Sequence, residues 1–152
     1  MSANSHGAAA MPFVSITRLR VRALRFAPGF AVRTFQSAFQ AKAAAGNTHV
    51  LLLRDAKLTF WTITTWESEA AMRSFMVAGA HRKAMHSLLE WCDEAALAHW
   101  TDDTGTPPNW SEGPGLIKTR GRTSKVKYPS PAHIAFEITP PLVSVSRELR
   151  FK

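Results

Sequence analysis

His81 is the residue whose type and position best suit chemistry. It follows an elbow in the run Phe75-Met76-Val77-Ala78-Gly79-Ala80-His81-Arg82-Lys83-Ala84-Met85 and opens a helical pattern. On an ideal helix His81, Met85, Leu88 and Leu89 fall at i, i+4, i+7 and i+8, so the imidazole belongs to an apolar stripe and faces a sheet or a cavity. An imidazole so placed can ligate haem iron or act as a general base. The plainer role is structural: the ring caps the elbow or bonds a backbone carbonyl, and neither a second ligand nor an acid stands at motif spacing beside it.

Other residues offer less. His99 alternates with Leu97 and Thr101, so it either points into an interior or is a satisfied core group. His86 shares a polar helix line with Arg82 and Glu90, which reads as surface. His49 and His133 stand at strand starts with no motif around them. Trp61 and Trp66 are opposite in strand parity; core packing is the default for both, and Trp66 could also give a planar apolar ligand a flat wall. Arg18, Arg20 and Arg22 share one strand face, either a solvated or inter-subunit face or one pairing with carboxylates of an anionic ligand such as haem propionates. The expected pocket is therefore His81 with Trp66, Met85, His99 and Arg18. Cys92, the single cysteine, permits no internal disulfide and sits beside Trp91 as a buried, inert thiol.

Several chemistries lack their motifs. There is no phosphate-binding glycine loop, dinucleotide fingerprint, Cys-x-x-Cys pair, His-Glu-x-x-His or nucleophile elbow.

The elements that must position these residues follow from periodicity. Phe13–Arg22 alternates as a strand, with Phe13, Ser15, Thr17, Leu19 and Val21 on one face and Val14, Ile16, Arg18, Arg20 and Arg22 on the other. A helix over 30–45 follows, with Val32, Phe35, Phe39 and Ala43 as its apolar face and Gly46-Asn47 ending it. Residues 48–54 and 58–66 form a hairpin across Asp55-Ala56-Lys57. Glu67-Ser68-Glu69 starts a helix with Met72, Phe75 and Met76 inward; a second runs from about Ala80 to Trp91, and 95–101 is a strand. The order β-α-β-β-α-β predicts an α+β fold, ferredoxin-like, with a four-stranded antiparallel sheet.

Both faces of this sheet carry bulky apolar residues: Thr59, Trp61 and Ile63 on one side, Phe60, Thr62, Thr64 and Trp66 on the other. Helices cover one face. The other needs a second layer, which predicts a homodimer closed by sheet-on-sheet packing.

The chain has 152 residues, is 45% hydrophobic and carries a net charge of +8. That suits one domain with a real core, and the basic excess favours anionic partners without choosing among them. Residues 1–12 read as a disordered leader, 13–102 as the domain, and 103–152 as a basic Pro/Gly-rich extension with possible short strands at 133–138 and 142–151. The extension is either an arm along a partner subunit or a partly disordered segment. No apolar run could span a membrane, and a cytoplasmic location is the default.

The topology and the segment Trp66-Glu67-Ser68-Glu69-Ala70-Ala71-Met72-Arg73-Ser74-Phe75 resemble the antibiotic biosynthesis monooxygenase-type domains, the dimeric α/β barrels. The run from Gly79 to Met85 resembles more closely a branch with spheroidene monooxygenase-like proteins and related bacterial domains. The resemblance covers about Phe13–Asp102 and implies a barrel dimer. Its members include cofactor-free oxygenases, haem-dependent enzymes and decarboxylases, so fold alone does not assign the reaction.

Three functions are thus open. One is a monooxygenase-like protein acting on an apolar or polycyclic small molecule in a barrel cavity, cofactor-free or with haem on His81. Another is a non-catalytic hydrophobic-ligand-binding or structural dimer. The third, and weakest, is nucleic-acid contact through Lys118–Lys127, where five basic residues occur without an acid but with only Tyr128 as an aromatic neighbour.

Overall fold

A computed structural model describes residues 11–142, 144 and 146–152. The expected leader lies outside the described residues except for its last two. The order is β1 (Phe13–Val21), α1 (Ala27–Ala43), β2 (Asn47–Arg54), β3 (Thr59–Trp66), α2 (Glu69–Met76), α3 (Gly79–Trp91) and β4 (Cys92–Thr101). Then come α4 (Gly113–Arg120), β5 (Gly121–Thr123), α5 (Pro131–Ile134) and β6 (Arg147–Arg150).

The sheet order is β5-β4-β1-β3-β2-β6, antiparallel throughout. Its four inner strands are the expected ferredoxin-like set. The expectation of four strands in all is corrected to six, because the extension supplies both edges: β5 pairs with β4, and β6 with β2.

Local chemistry explains the joints. Between β2 and β3, Lys57 and Leu58 take φ of 57° and 58°, and Asp55 Oδ1 accepts the Ala56 N–H at 2.7 Å. Gly46 leaves α1 with φ of +84°, where an added Cβ would lie 2.7 Å from the Ala71 Cβ. Ser68 caps α2 by accepting the Ala71 N–H at 3.2 Å.

Strand parity divides the core as predicted. Toward the helices, Phe13, Val50, Leu52 and Trp66 pack with Met72 and Phe75. On the back face, Ile16, Leu51, Trp61, Ile63 and Ala98 pack with Ile117. Trp100, Trp110, Phe136 and Ile138 close over this second cluster. Residues 110–138 thus form the layer that the sequence reading assigned to a partner's sheet. Back-to-back packing of two sheets would have to displace them from Trp61 and Ile63.

Two further expectations are corrected. Residues 133–138 are not a strand: Pro131–Ile134 is a short helix, capped by Ser130 Oγ on the His133 N–H at 3.1 Å. The face of α1 built on Val32, Phe35 and Phe39 points outward, at 56%, 41% and 58% exposure. Phe30, Ala38 and Ala41 are the buried ones: Phe30 packs on Phe60, and Ala38 and Ala41 join the cluster of Phe13, Val50, Leu52 and Phe75.

Candidate functional site

The three helices do not fill the space above the sheet. A cavity of about 390 Å³ lies between β1–β4 and α1, α2 and α3. Its position differs from the expected barrel interior: it is on the helix side, within one chain.

The floor is polar. Ser15 and Thr17 of β1 lie directly opposite Thr64 and Thr62 of β3, so four hydroxyls occupy neighbouring positions on the odd-parity face of β1. The walls are apolar from Met72 and Phe75 on α2 and Ala84 and Leu88 on α3, while α1 gives Ala38 and Ala41 together with Arg33, Thr34 and Ser37.

His81 lines this cavity, and the elbow fixes it. Gly79 turns the chain with φ of +54°, which places the first turn of α3 against α1. The ring Nδ1 lies 3.2 Å from the Met76 carbonyl oxygen. A carbonyl can only accept, so Nδ1 carries the proton and neutral Nε2 is a bare lone pair. The ring also packs on Phe75, with centroids 4.6 Å apart. Burial lowers the His81 pKa, only partly offset by the bond to Met76, so the imidazole is neutral at neutral pH. Sequence reasoning set a carbonyl-bonded ring against a chemical one; Nδ1 makes the carbonyl bond, and Nε2 has no hydrogen-bond partner among the described residues.

Sequence reasoning missed Gln40. Its Oε1 accepts the His81 N–H at 2.7 Å, and its Nε2 donates to the carbonyls of Ala78 at 2.8 Å and Phe75 at 3.3 Å. One side chain on α1 therefore holds both sides of the elbow. No local pattern in the sequence marks it, since the pairing spans 41 positions.

His99 lines the same cavity from β4, its ring tilted against Phe13. Its pKa is lowered by burial first, and then by the charges of Arg122 and Arg73. Met85 also lines the cavity but is 45% exposed, so it stands at the rim.

Two expected pocket residues are elsewhere. Trp66 is fully buried behind Phe75 and donates its indole N–H to Thr64 Oγ1 at 2.9 Å; it supports the wall without lining the space. Arg18 is on the even face of β1, away from the cavity. It is buried and pairs with Glu94 Oε2 at 2.7 Å, while Ser130 Oγ donates to Glu94 Oε1 at 2.9 Å. Arg20 bonds both oxygens of Asp93 at 3.0 and 2.8 Å. These arginines tie β1 to β4 and the extension.

The extension also reaches the site, which sequence reasoning did not foresee. Arg122 and Lys125 are exposed residues that line the cavity, so they stand at its opening, beside Ser124. The other cations of the Lys118–Lys127 run point elsewhere: Lys118 lies over Phe136, Arg120 over Trp100, and Lys127 pairs with Glu90 at 3.3 Å. They do not form a single stripe.

Cys92 is buried with its thiol pushed up to about 12 by burial, an inert group as expected. Among the described residues, no group of three or more His, Cys, Asp or Glu could hold a metal ion. No helix among them is long and apolar enough to cross a membrane.

Comparison with known proteins places this geometry. The chain superposes on a variant of SnoaB, a cofactor-independent oxygenase from Streptomyces nogalater, with a TM-score of 0.53 and 16% identity over 61% of this chain and 94% of that one. A proposed antibiotic biosynthesis monooxygenase from Nitrosomonas europaea gives 0.55 at 14% identity, over 61% and 91%. PA3566 from Pseudomonas aeruginosa gives 0.55 at 15%, over 63% and 98%. At these identities the likeness establishes the fold, that of the antibiotic biosynthesis monooxygenase-like proteins. No curated protein matches by sequence. A family model does match residues 5–136, running past the inner four strands into the extension, and on it the chain belongs to the family described as the domain of unknown function DUF3291.

Proposed function

We propose that the protein binds an apolar small molecule in the cavity between sheet and helices, and that His81 acts on it as the general base of an oxygenase-type reaction. The observation that carries this reading is the free, neutral Nε2 of an imidazole lining an apolar cavity, with its tautomer fixed by the Met76 carbonyl. The fold shared with a cofactor-independent oxygenase supports it. In this reading Nε2 takes a proton from an acidic C–H or O–H of the ligand. The resulting anion gives its electrons to molecular oxygen, one oxygen atom entering the product and the other leaving as water. The floor hydroxyls of Ser15, Thr17 and Thr62 orient the ligand's oxygens.

An anthrone tests this. Its benzylic C–H is acidic, and its oxidation to a quinone is visible. Oxygen uptake and quinone absorbance are expected with the native protein, and a fall of about 100-fold or more in His81→Gln. An equal rate in His81→Gln overturns the role of His81.

A second reading rests on the same atom. If haem were bound, Nε2 of the neutral His81 would be the nitrogen available to ligate its iron. His81 would hold the iron, which would supply redox chemistry when bound, and Arg122 and Lys125 would meet the propionates. A haemin band that depends on His81 selects this reading over the general base.

A further inference from the structure

We infer that the cavity selects apolar ligands that carry one anionic group, held at the opening by Arg122 and Lys125. This deepens the reading of the cavity as a ligand site and rests on it.

Three cations, Arg33, Arg122 and Lys125, line the cavity, and no aspartate or glutamate does. Among the described residues none of these three makes an ion pair; Arg122 makes only a long bond of 3.4 Å to the neighbouring Thr123 carbonyl. The other three cations of the Lys118–Lys127 run are engaged by Phe136, Trp100 and Glu90. Within the Lys118–Lys127 run, the two cations without such a partner, Arg122 and Lys125, are thus the two that line the cavity. Register explains why: Arg122 pairs with Leu97 across β5 and β4, and Leu97 itself lines the cavity, so the guanidinium rises on the same face. Lys125 follows two residues after β5 ends, where the Lys127 N–H donates to the Leu89 carbonyl at 2.8 Å and draws the chain beside α3.

The ends of the site therefore differ. The walls from α2 and α3 are apolar apart from His81, and cations stand at the opening on β5 and the turn after it and on α1 at Arg33. A wholly neutral ligand leaves that charge uncompensated, and a cationic one is repelled. A carboxylate, sulfonate or phosphate on an apolar body satisfies both ends.

Two fluorescent probes of nearly the same shape test this: anilinonaphthalene sulfonate, which is anionic, and phenylnaphthylamine, which is neutral. The anionic probe is expected to bind about tenfold more tightly to the native protein. Arg122→Gln combined with Lys125→Gln is expected to weaken it by about 3- to 10-fold and leave the neutral probe unchanged. Both side chains are exposed, so the variant keeps its fold. Equal affinity for the two probes, with no effect of the double variant, overturns the selectivity and leaves the cavity reading standing. Binding of neither probe, or binding that survives filling of the cavity by Leu97→Trp, overturns the cavity as a ligand site and the inference with it.

Discussion

Gln40 Oε1 accepts the backbone N–H of His81 at 2.7 Å, joining α1 to the first turn of α3 across the elbow. With its amide nitrogen on Ala78, the same side chain closes a bridge over Gly79. The imidazole is thereby positioned by a residue that does not itself line the cavity.

Gln40→Ala should leave the elbow's polar groups without partners and loosen His81. A loss of about 1–3 kcal/mol in unfolding free energy is expected in urea titration. Any His81-dependent rate or haemin band should fall more than the stability change accounts for. A variant as stable as the native protein would show that the elbow holds itself.

The buried pair Arg18–Glu94 gives a second prediction. Glu94→Gln leaves the Arg18 guanidinium buried without its counter-charge, and about 3–5 kcal/mol of stability should be lost. Replacing both partners by apolar residues, as Arg18→Met with Glu94→Leu, should cost less than the single change. Equilibrium denaturation of the variants decides it. Because this network faces away from the cavity, probe binding at temperatures where the variants are folded should not change.

Acid should destabilise the protein through the two cavity histidines. Both are held below the ordinary imidazole value, His81 by burial and His99 by burial with help from Arg122 and Arg73. The unfolded chain then binds more protons than the folded one once the pH drops through about 6.5. The stability they contribute is present above that pH and is lost toward their lower folded values. The melting temperature should fall with acidification from pH 7, and the fall should be shallower in His81→Gln combined with His99→Gln. An unchanged slope would assign the acid sensitivity to other groups.

Gly121 starts β5 at a place where a Cβ would meet the Leu97 and Ile117 carbonyl oxygens. Gly121→Ala should prise β5 from β4 and carry Arg122 away from the opening. Amide hydrogen exchange should show faster exchange at residues 121–124 with little change in β1 and β3. Protection equal to that of the native chain would mean that the sheet edge yields without parting.

The inner sheet was legible because its strands alternate cleanly. The parities of β1 and β3 correctly separated Ser15 from Ile16 and Trp61 from Trp66, and Gly79 marked the elbow before His81. What stayed hidden is decided by packing between distant segments. On α1 the large residues Val32 and Phe39 look outward, while Ala38 and Ala41 look inward, and size in a sequence does not reveal direction. Arg18 was correctly assigned to the face of Ile16, but which face holds open space depends on how closely the helices approach. The basic run offered no sign that Arg122 and Lys125 would separate from Lys118 and Arg120, because a three-residue strand and the turn after it set their directions.

The short strand β5 has a consequence for how such a protein can change over time. Its hydrogen bonds involve only Gly121, Arg122 and Thr123, and the cations that meet the cavity are exposed side chains at its middle and just beyond it. The residues that hold the fold, from Trp61 to the Arg18–Glu94 pair, are on other elements. With the ligand selection proposed above, taste for a ligand and cohesion of the chain are written in separate places. Substitutions at 122 and 125 can retune the first at almost no expense to the second, so one scaffold can be handed from one molecule to the next.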